Sequence, residues 1–293
     1  VYDRFRGRLM FPIHNHKGQV IAFGGRVLGT GEPKYLNSAD SEHFHKGQTL
    51  YNLHRAYEAM RQTGQAVLVE GYMDVIGLAQ AGFVPAVAPL GTAVTPEQIK
   101  LLWRYCPVPT VCLDGDTAGH QAAARLARRI LPVLKPGYSL QFAWLVGGDD
   151  PDSYVRRAGL AAFQAVLAQP EPLEGVLWRA LSANQDLSTA AARSGFTQEI
   201  QNVVQEIPDL TVRNSLHQAL KDQLWQHTRP GTTAPAGRQR QANRQRGQLN
   251  PAEALVGMVL LHPSLLHQVE ERFAQLTLTD PALEALRQKI LEL

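Results

Sequence analysis

The 293-residue sequence has only two cysteines and no long hydrophobic run, and both absences limit what the protein can be. Cys106 and Cys112 lie in apolar segments typical of strands. Two such cysteines argue against a disulfide framework and against a four-cysteine zinc module within this chain. No apolar run approaches the roughly 20 residues that cross a bilayer. The first residues also lack the apolar core of a signal peptide. We therefore expect a cytoplasmic protein with no membrane partner.

Net charge is also low, at +3, so its distribution along the chain is more informative than its size. Before Tyr35 the only acids are Asp3 and Glu32, whereas the basic residues are Arg4, Arg6, Arg8, Lys17, Arg26 and Lys34. The spacing of two between the first three arginines predicts that they project from one face of a strand. This locally basic segment is typical of a phosphate-binding surface.

The middle of the chain alternates between strand-like and helix-like text. Short apolar runs, "QAVLVE", "FVPAVAPLG", "TVCLD" and "SLQFAWLV", predict buried strands, and amphipathic segments separate them. One such segment opens with Thr95, Pro96 and Gln98, the pattern of a helix capping box. This alternation predicts an α/β fold in which helices flank a parallel sheet.

The two ends of the chain differ from this middle block. Before it, a mixed α/β segment contains a predicted hairpin turn at Lys17–Gly18 and a helix that ends at Gly64. After about Leu160 the strands stop, and helices follow with predicted breaks at "QPEP", "SGF" and "IPD". The segment "TRPGTTAPAGRQRQANRQRGQ" has no acid and no large apolar residue, which predicts a flexible, arginine-rich linker to a further helical domain. The predicted divisions are 1–64, 65–153, 154–227, 228–249 and 250–293.

Acidic residues follow three of the predicted strands. They are Glu70, then Asp114 and Asp116, then Asp149, Asp150 and Asp152. The carboxyl ends of parallel strands meet at one edge of a sheet, so these side chains are expected to converge there. Mutual repulsion would raise their pKa values, and hard cations such as Mg²⁺, held by carboxylates and water, would offset it. Two such ions could clamp the oxygens of a phosphoryl transfer. Asp114 and Asp116 also suit a turn after a strand, and Asp150-Pro151-Asp152 also suits a helix cap.

Specific motifs resemble a known family. Glu70-Gly71 after one strand, with Asp114-Gly115-Asp116 after another, resembles the Toprim signature of topoisomerases, primases and some nucleases. The flanking text resembles the bacterial DnaG-type DNA primases, from the first residue to about Arg157. The segments that carry this resemblance are "YDRFRGRLMFPI", "VIAFGGR", "PKYLNS", "FHKGQTLYNL", "VEGYMDVIGLAQAG", "APLGTA" and "DDPDSYV".

The resemblance implies a function and a set of site residues. Glu70, Asp114 and Asp116 match the family's catalytic, metal-binding acids, and Asp74, Asp150 and Asp152 match further acids of that site. The positions implied to contact template or nucleotide are Arg4, Arg26, Lys34, Tyr35, Asn37 and Lys46. The implied activity is synthesis of RNA primers from ribonucleoside triphosphates on single-stranded DNA, with Mg²⁺ or Mn²⁺ and an RNA–DNA hybrid product. A replicative DnaB-type helicase is the implied partner of the C-terminal region.

The sequence departs from the family pattern at its start. DnaG-type primases carry a zinc-binding module and the first part of the polymerase core before "YDRFRGR", so zinc is expected only in that missing module and the chain is expected to be a fragment. One alternative is a catalytically incomplete fragment that binds nucleic acid or helicase. Another is a different Toprim enzyme, such as a topoisomerase or nuclease. The pairs His14–His16 and His43–His45 have no evident third ligand, so loop or surface roles are preferred for them.

Overall fold

A computed structural model describes residues 3–145 and 148–228, together with residues 273, 284 and 287–290. The chain divides into two compact units, Val1–Thr232 and Thr233–Leu293. In the second unit, Arg287 donates a hydrogen bond from Nε to Glu284 at 3.0 Å. The predicted linker 228–249 lies outside the described residues except for its first residue, and so does nearly all of the predicted C-terminal helical domain 250–293.

The basic segment forms a small antiparallel sheet and one helix. Its elements are β1 (Arg8–His14), β2 (Val20–Val27), β3 (Tyr35–Asn37) and α1 (Leu53–Thr63). The sheet order is β1-β2-β3, and the turn between the first two strands contains Gly18 at φ 78°. Helix α1 ends at Gly64, whose φ of 68° is the left-handed conformation that glycine adopts readily. The predicted hairpin and helix end are therefore confirmed.

The prediction that Arg4, Arg6 and Arg8 share one face of a strand is wrong. Strand β1 begins only at Arg8, and the residues from Arg4 to Gly7 form a turn. The Asp3 carboxylate accepts the Phe5 N–H at 2.8 Å, and Gly7 adopts φ 63°. A local side-chain-to-backbone bond and a left-handed glycine end the extended conformation that the spacing of two requires.

The middle block forms the predicted sheet. Its elements are β4 (Val67–Leu68), α2 (Tyr72–Gln80), β5 (Ala86–Val87), α3 (Pro96–Leu102), β6 (Thr110–Asp114), α4 (Thr117–Ile130) and β7 (Gln141–Leu145). The sheet order is β5-β4-β6-β7-β8, and its first four strands are parallel. Helix α3 has the predicted capping box, since Thr95 Oγ1 accepts the Gln98 N–H and the Gln98 side chain accepts the Thr95 N–H.

The region after β7 is helical apart from one short strand. Its elements are α5 (Pro151–Ala158), α6 (Leu160–Leu167), β8 (Glu171–Pro172), α7 (Leu173–Ser182), α8 (Ala190–Val204) and α9 (Leu210–Thr228). The expectation that strands stop after Leu160 is wrong, because β8 pairs antiparallel with β7 at the sheet edge. The predicted break at "SGF" is also wrong, since α8 runs through it. Buried Phe196 packs edge-to-face on Trp178, and such packing outweighs a helix penalty of about 1 kcal/mol for Gly195.

Helices cover both faces of the parallel sheet. On one face, Leu68, Val111 and Phe142 belong to a core that includes residues of α1, α3, α4 and α7–α9. On the other, Val67, Cys112 and Ala143 pack with residues of α2, α5 and α6. Burial on both faces explains why the strands are continuous apolar runs rather than alternating ones. Within the part of the chain that the structure describes, no helix is both long and apolar enough to cross a membrane.

Candidate metal and nucleic-acid site

Acidic side chains gather at the carboxyl edge of the parallel sheet, as the sequence predicts. Glu70 follows β4, Asp114 ends β6 and Asp150 follows β7. These acids are close enough to interact electrostatically. Burial is the main cause that raises the pKa of Glu70, and the negative charges of Asp116 and Asp150 raise it further. Parallel strands that end at the same level thus bring together acids 80 positions apart in the sequence.

Asp74 belongs to the same group, in the first turn of α2. It is 7% exposed, and its Oδ2 accepts the Gly71 N–H at 2.9 Å. Burial raises its pKa to about 7, and Asp150, Asp114 and Glu70 add to that shift against the opposing hydrogen bond from Gly71. The carboxyl group is therefore partly protonated near neutral pH when no cation is present.

Asp114 is affected in the same way. Burial, followed by the charges of Glu70, Asp150 and Asp116, raises its pKa to about 6. Its Oδ1 is buried and accepts no hydrogen bond within the protein. A buried carboxylate oxygen without a donor is unfavourable, and a bound cation would satisfy it.

Two of the acids also cap helices. Asp116 Oδ1 accepts the Gly119 N–H at 2.7 Å at the start of α4, and Asp150 Oδ1 accepts the Ser153 N–H at 2.7 Å at the start of α5. The predicted cap is thus confirmed at Asp150, and Asp116, expected as a turn former, caps a helix as well. Neither cap opposes a metal role. Each cap uses one oxygen of a carboxylate that has two, and the bond orients the second oxygen.

Asp152 stands apart from this group. A Cβ on Gly77 would lie 2.1 Å from Asp152 Oδ1, so the Asp152 side chain packs against α2, and the same oxygen is 2.8 Å from Arg156 Nε. It does not contribute to the raised pKa of Glu70, Asp74 or Asp114. Its role as a metal ligand stays a prediction.

The donor set fits a hard divalent cation. Glu70, Asp114 and Asp116 offer the carboxylate oxygens that Mg²⁺ and Mn²⁺ prefer, and they share a region of accumulated negative charge. In residues 3–145 and 148–228, no three acid, histidine or cysteine side chains already stand at the ligand positions of one ion. Repulsion between the negative carboxylates keeps these side chains apart, and rotation of the side chains toward a bound cation would bring their oxygens together.

A basic and aromatic cluster lies on the neighbouring antiparallel sheet. Arg26 and Lys34 each hold their charge 5.9 Å from the centre of the Tyr35 ring, which is 38% exposed. Tyr35 in turn meets Tyr72 edge-to-face at 5.9 Å. Because Tyr72 is only two residues after Glu70, this contact brings the basic cluster beside the acidic edge.

The remaining basic-segment residues are placed differently. Asn37 donates from Nδ2 to the Leu90 carbonyl oxygen at 2.8 Å and accepts a hydrogen bond from the Tyr72 hydroxyl, so both ends of its amide are used within the protein. Lys46 lies in a loop, 3.9 Å from the Asp40 carboxylate. Arg4 lies in the exposed turn before β1. Contacts of these three residues with template or nucleotide stay predictions.

Sequence reasoning missed two residues that join the basic segment to the sheet. The sequence pattern indicates only that Tyr72 lies in a helix. In the structure its buried ring packs on Phe11 at 5.2 Å, and its hydroxyl donates a hydrogen bond to Asn37. Gln98 was a capping residue only, yet its side chain also bonds the loop after Lys46. Their hydrogen-bond partners are 35 to 52 positions away, so no local pattern could reveal them.

Comparison with known proteins agrees with this arrangement. The family described as DNA primase catalytic core, N-terminal domain, matches residues 1–57, and a Toprim-like family matches residues 67–155. A crystal structure of a DNA primase domain from Pseudomonas aeruginosa is 44% identical, with a TM-score of 0.71 over 75% of this chain and 69% of that one. This chain belongs to the DNA primase family.

Two further relatives in the primase family help to place the chain. A DnaG primase catalytic domain bound to single-stranded DNA is 43% identical, with a TM-score of 0.69 over 75% of this chain and 71% of that one. The DNA primase of Pasteurella multocida is 39% identical over 290 residues, which are 98% of this chain and 50% of that protein. The chain thus spans half the length of that primase. The basic residues fall in the primase-core match and the acids in the Toprim-like match.

Proposed function

We propose that this chain carries the nucleotidyl-transfer centre of a DNA primase, an RNA-polymerase-type enzyme that joins ribonucleotides on a single-stranded DNA template. The observation that carries the proposal is the juxtaposition of the acidic edge with the Arg26–Lys34–Tyr35 cluster through Tyr72. Nucleotide polymerisation needs both parts, since it requires cation-binding acids at the reacting phosphate and cations with an aromatic surface for the nucleic acid.

In the proposed reaction, the 3′-hydroxyl oxygen of one ribonucleotide attacks the α-phosphorus of the next, the bond to the β-phosphate oxygen breaks, and pyrophosphate leaves. Glu70, Asp114 and Asp116 would hold Mg²⁺ or Mn²⁺, which when bound stabilises charge that develops on the phosphate oxygens. Asp74 supports Glu70 by fixing the Gly71 N–H. The caps on α4 and α5 hold Asp116 and Asp150 in place. Asp150 and Asp152 are proposed as further metal-site acids.

The basic cluster would bind the template or the incoming triphosphate. Arg26 and Lys34 would neutralise phosphate charge, and the exposed Tyr35 ring offers a surface on which a base can stack. Arg4, Asn37 and Lys46 are proposed as further contacts. By the same resemblance, the product is an RNA–DNA hybrid, the C-terminal region binds a replicative helicase, and the protein acts at the cytoplasmic replication fork.

Other functions fit the chain less well. A topoisomerase needs a tyrosine nucleophile, whereas Tyr72 is buried against Phe11 and burial raises its pKa to about 12, which makes it a poor nucleophile. Tyr35 lies near the charges of Arg26 and Lys34, in the part of the chain that matches a primase core. A pure binding module would not need carboxylates gathered at a cost in repulsion.

The decisive experiment is incorporation of labelled ribonucleotides on a single-stranded DNA template, with Mg²⁺ or Mn²⁺, by the parent and by Glu70→Gln. Synthesis by the parent and none by the variant is expected. If neither protein synthesises RNA, the assay is repeated with the amino-terminal part of a related primase fused to each. If the fused parent also synthesises no RNA, the enzymatic proposal is overturned in favour of a binding module.

A further inference from the structure

The loop that carries Lys46 is fastened to the start of helix α3 by buried hydrogen bonds. Gln98, the third residue of α3, is fully buried, and its Nε2 donates to the carbonyl oxygens of Lys46 and Thr49, each at 2.9 Å. Thr95 Oγ1 donates to the Gly47 carbonyl oxygen at 2.5 Å. Three backbone carbonyls within four residues of the loop are therefore bonded to two side chains of one helix start.

The Gln98 amide uses both of its N–H donors and its carbonyl oxygen within the protein. Its Oε1 accepts the Thr95 N–H at 3.1 Å in the capping box, while both hydrogens of Nε2 go to the loop. A glutamate, which is the other usual residue at this capping position, would keep the acceptor but present no donor pair. Helix capping alone therefore does not require glutamine here, whereas fastening the loop does.

The loop is held on its other side as well. Asp40 Oδ1 accepts the Lys46 N–H at 3.3 Å, and the Asp40 carboxylate lies 3.9 Å from Lys46 Nζ. Between these two residues, Phe44 is buried to 1% exposure. The backbone of Lys46 is thus fixed on both sides, while its side chain stays 27% exposed. Such an arrangement restricts where the ammonium group can reach without burying it.

Helix α3 begins on the acidic side of the sheet. The segment from Pro89 to Val94 leads from the carboxyl end of β5 to Thr95. Four of its residues, Pro89, Thr92, Ala93 and Val94, line a cavity of about 500 Å³ that has Glu70, Asp114 and Asp116 on its wall. In a parallel α/β sheet, the helix after a strand starts at the same edge as the catalytic acids. The loop that carries Lys46 is therefore docked on an element that starts where the acids lie.

We propose that Gln98 is a positioning residue, which holds the Lys46 backbone through its amide so that the ammonium group meets the phosphate of template or nucleotide. The inference deepens the proposed function and rests on it. Gln98 touches neither substrate nor metal, and its effect is transmitted through Lys46. It differs from a general stabilising residue because its contribution to binding should vanish when the Lys46 ammonium group is removed.

The test is a double-mutant cycle with Gln98→Glu and Lys46→Ala in the full chain. Equilibrium affinity is measured for a single-stranded DNA oligonucleotide and for ATP with Mg²⁺, because neither measurement depends on turnover. Both single variants are expected to weaken the affinity for the same ligand, each by about five-fold. In the Lys46→Ala background, Gln98→Glu should weaken that affinity by less than about two-fold more. Gln198→Glu is the matched control, since Gln198 is exposed on α8 and its amide donates to the neutral Asn202 side chain at 3.1 Å.

The outcomes separate the two proposals. Additive effects of Gln98→Glu and Lys46→Ala would overturn the positioning role, and so would a Lys46→Ala variant with unchanged affinity for both ligands. Neither result would affect metal-dependent synthesis that depends on Glu70, so the proposed function would stand. Should Gln98→Glu fail to fold, Gln98→Met replaces it, because Thr95 still caps α3 in that variant. Amide hydrogen exchange is then expected to quicken at Gly47–Thr49 and not in α1.

Discussion

Gly115 lies against the end of the neighbouring strand, so that a Cβ on Gly115 would be 2.2 Å from the Leu145 carbonyl oxygen. The turn between Asp114 and Asp116 can therefore approach β7 only because it has no side chain at its centre. The position of a Cβ is fixed by the backbone, and the Leu145 oxygen belongs to the backbone, so neither atom could rotate away. The close approach sets the spacing between the acids after β6 and those after β7.

Gly115→Ala should push the two strand ends apart. We expect a loss of about 1–3 kcal/mol in the free energy of unfolding, from overpacking, together with weaker Mn²⁺ binding. Thermal unfolding and metal titration measure the two effects. The control is Gly195→Ala in α8, where a Cβ meets nothing within 4 Å and alanine should stabilise by about 0.5–1 kcal/mol. Equal stability of Gly115→Ala and the parent would contradict the tight approach.

The acidic group predicts an unusual pH dependence of the metal-free protein. Asp74 has a pKa of about 7 in the folded chain against 3.8 ordinarily, so between those values the folded state binds a proton that the unfolded state does not. Its contribution to stability is present below pH 4 and is lost as pH rises toward 7 and above. In EDTA at pH 8, Asp74→Asn should therefore be more stable than the parent, by up to about 4 kcal/mol at 1.36 kcal/mol per pKa unit.

Chemical denaturation at pH 4 and pH 8 measures this difference, which should nearly disappear at the lower pH. Asn can still accept the Gly71 N–H through its Oδ1, so the helix start is retained. Asp222→Asn on the exposed face of α9 is the control. If Asp74→Asn and the parent differ in free energy of unfolding by the same amount at both pH values, the surroundings of Asp74 do not disfavour its charged form.

Glu70→Gln and Asp114→Asn should abolish cation binding and leave the fold intact. In the parent at pH 8, a saturating divalent cation stabilises by mass action, about 2.7 kcal/mol when its concentration is 100 times Kd. Each variant should lose that gain, and RNA synthesis should fall with it. Differential scanning calorimetry with and without Mn²⁺ measures the stabilisation. Glu58→Gln on α1 should behave as the parent, and full Mn²⁺ stabilisation of Asp114→Asn would remove Asp114 from the ligand set.

Arg4→Ala should weaken binding to single-stranded DNA and reduce its salt dependence. Loss of one phosphate contact lowers the slope of log K against log salt by about 0.7 for single strands. Fluorescence anisotropy of a labelled oligonucleotide gives that slope when salt is varied from about 50 to about 300 mM, over which the Debye length falls from about 14 to about 6 Å. Arg61→Ala, at another exposed arginine at the end of α1, is the control. An unchanged slope for Arg4→Ala would argue that Arg4 contacts no phosphate.

Much of the fold and of the acidic site followed from local patterns in the sequence. Buried parallel strands are short apolar runs, helix starts carry caps such as Thr95–Gln98, and acids directly after strands must share one sheet edge whatever the details of packing. These features depend on residues within one or two turns of each other. The turn at Arg4 and the uninterrupted helix α8 were not predicted, because a single Asp3 hydrogen bond and the burial of Phe196 decided them.

Only the tertiary structure decided how the two halves of the site meet. It set Asp152 apart against Gly77 while it grouped Asp150 with Glu70 and Asp114, although the two aspartates are neighbours in the same motif. It also joined Asn37 to Tyr72, and Gln98 to the loop of Lys46. The sequence by itself determined which chemical groups are present and at which strand ends they lie. The hydrogen bonds of Tyr72 and Gln98 join residues that are 35 and 52 positions apart. Such pairs depend on long-range packing, which no local periodicity encodes.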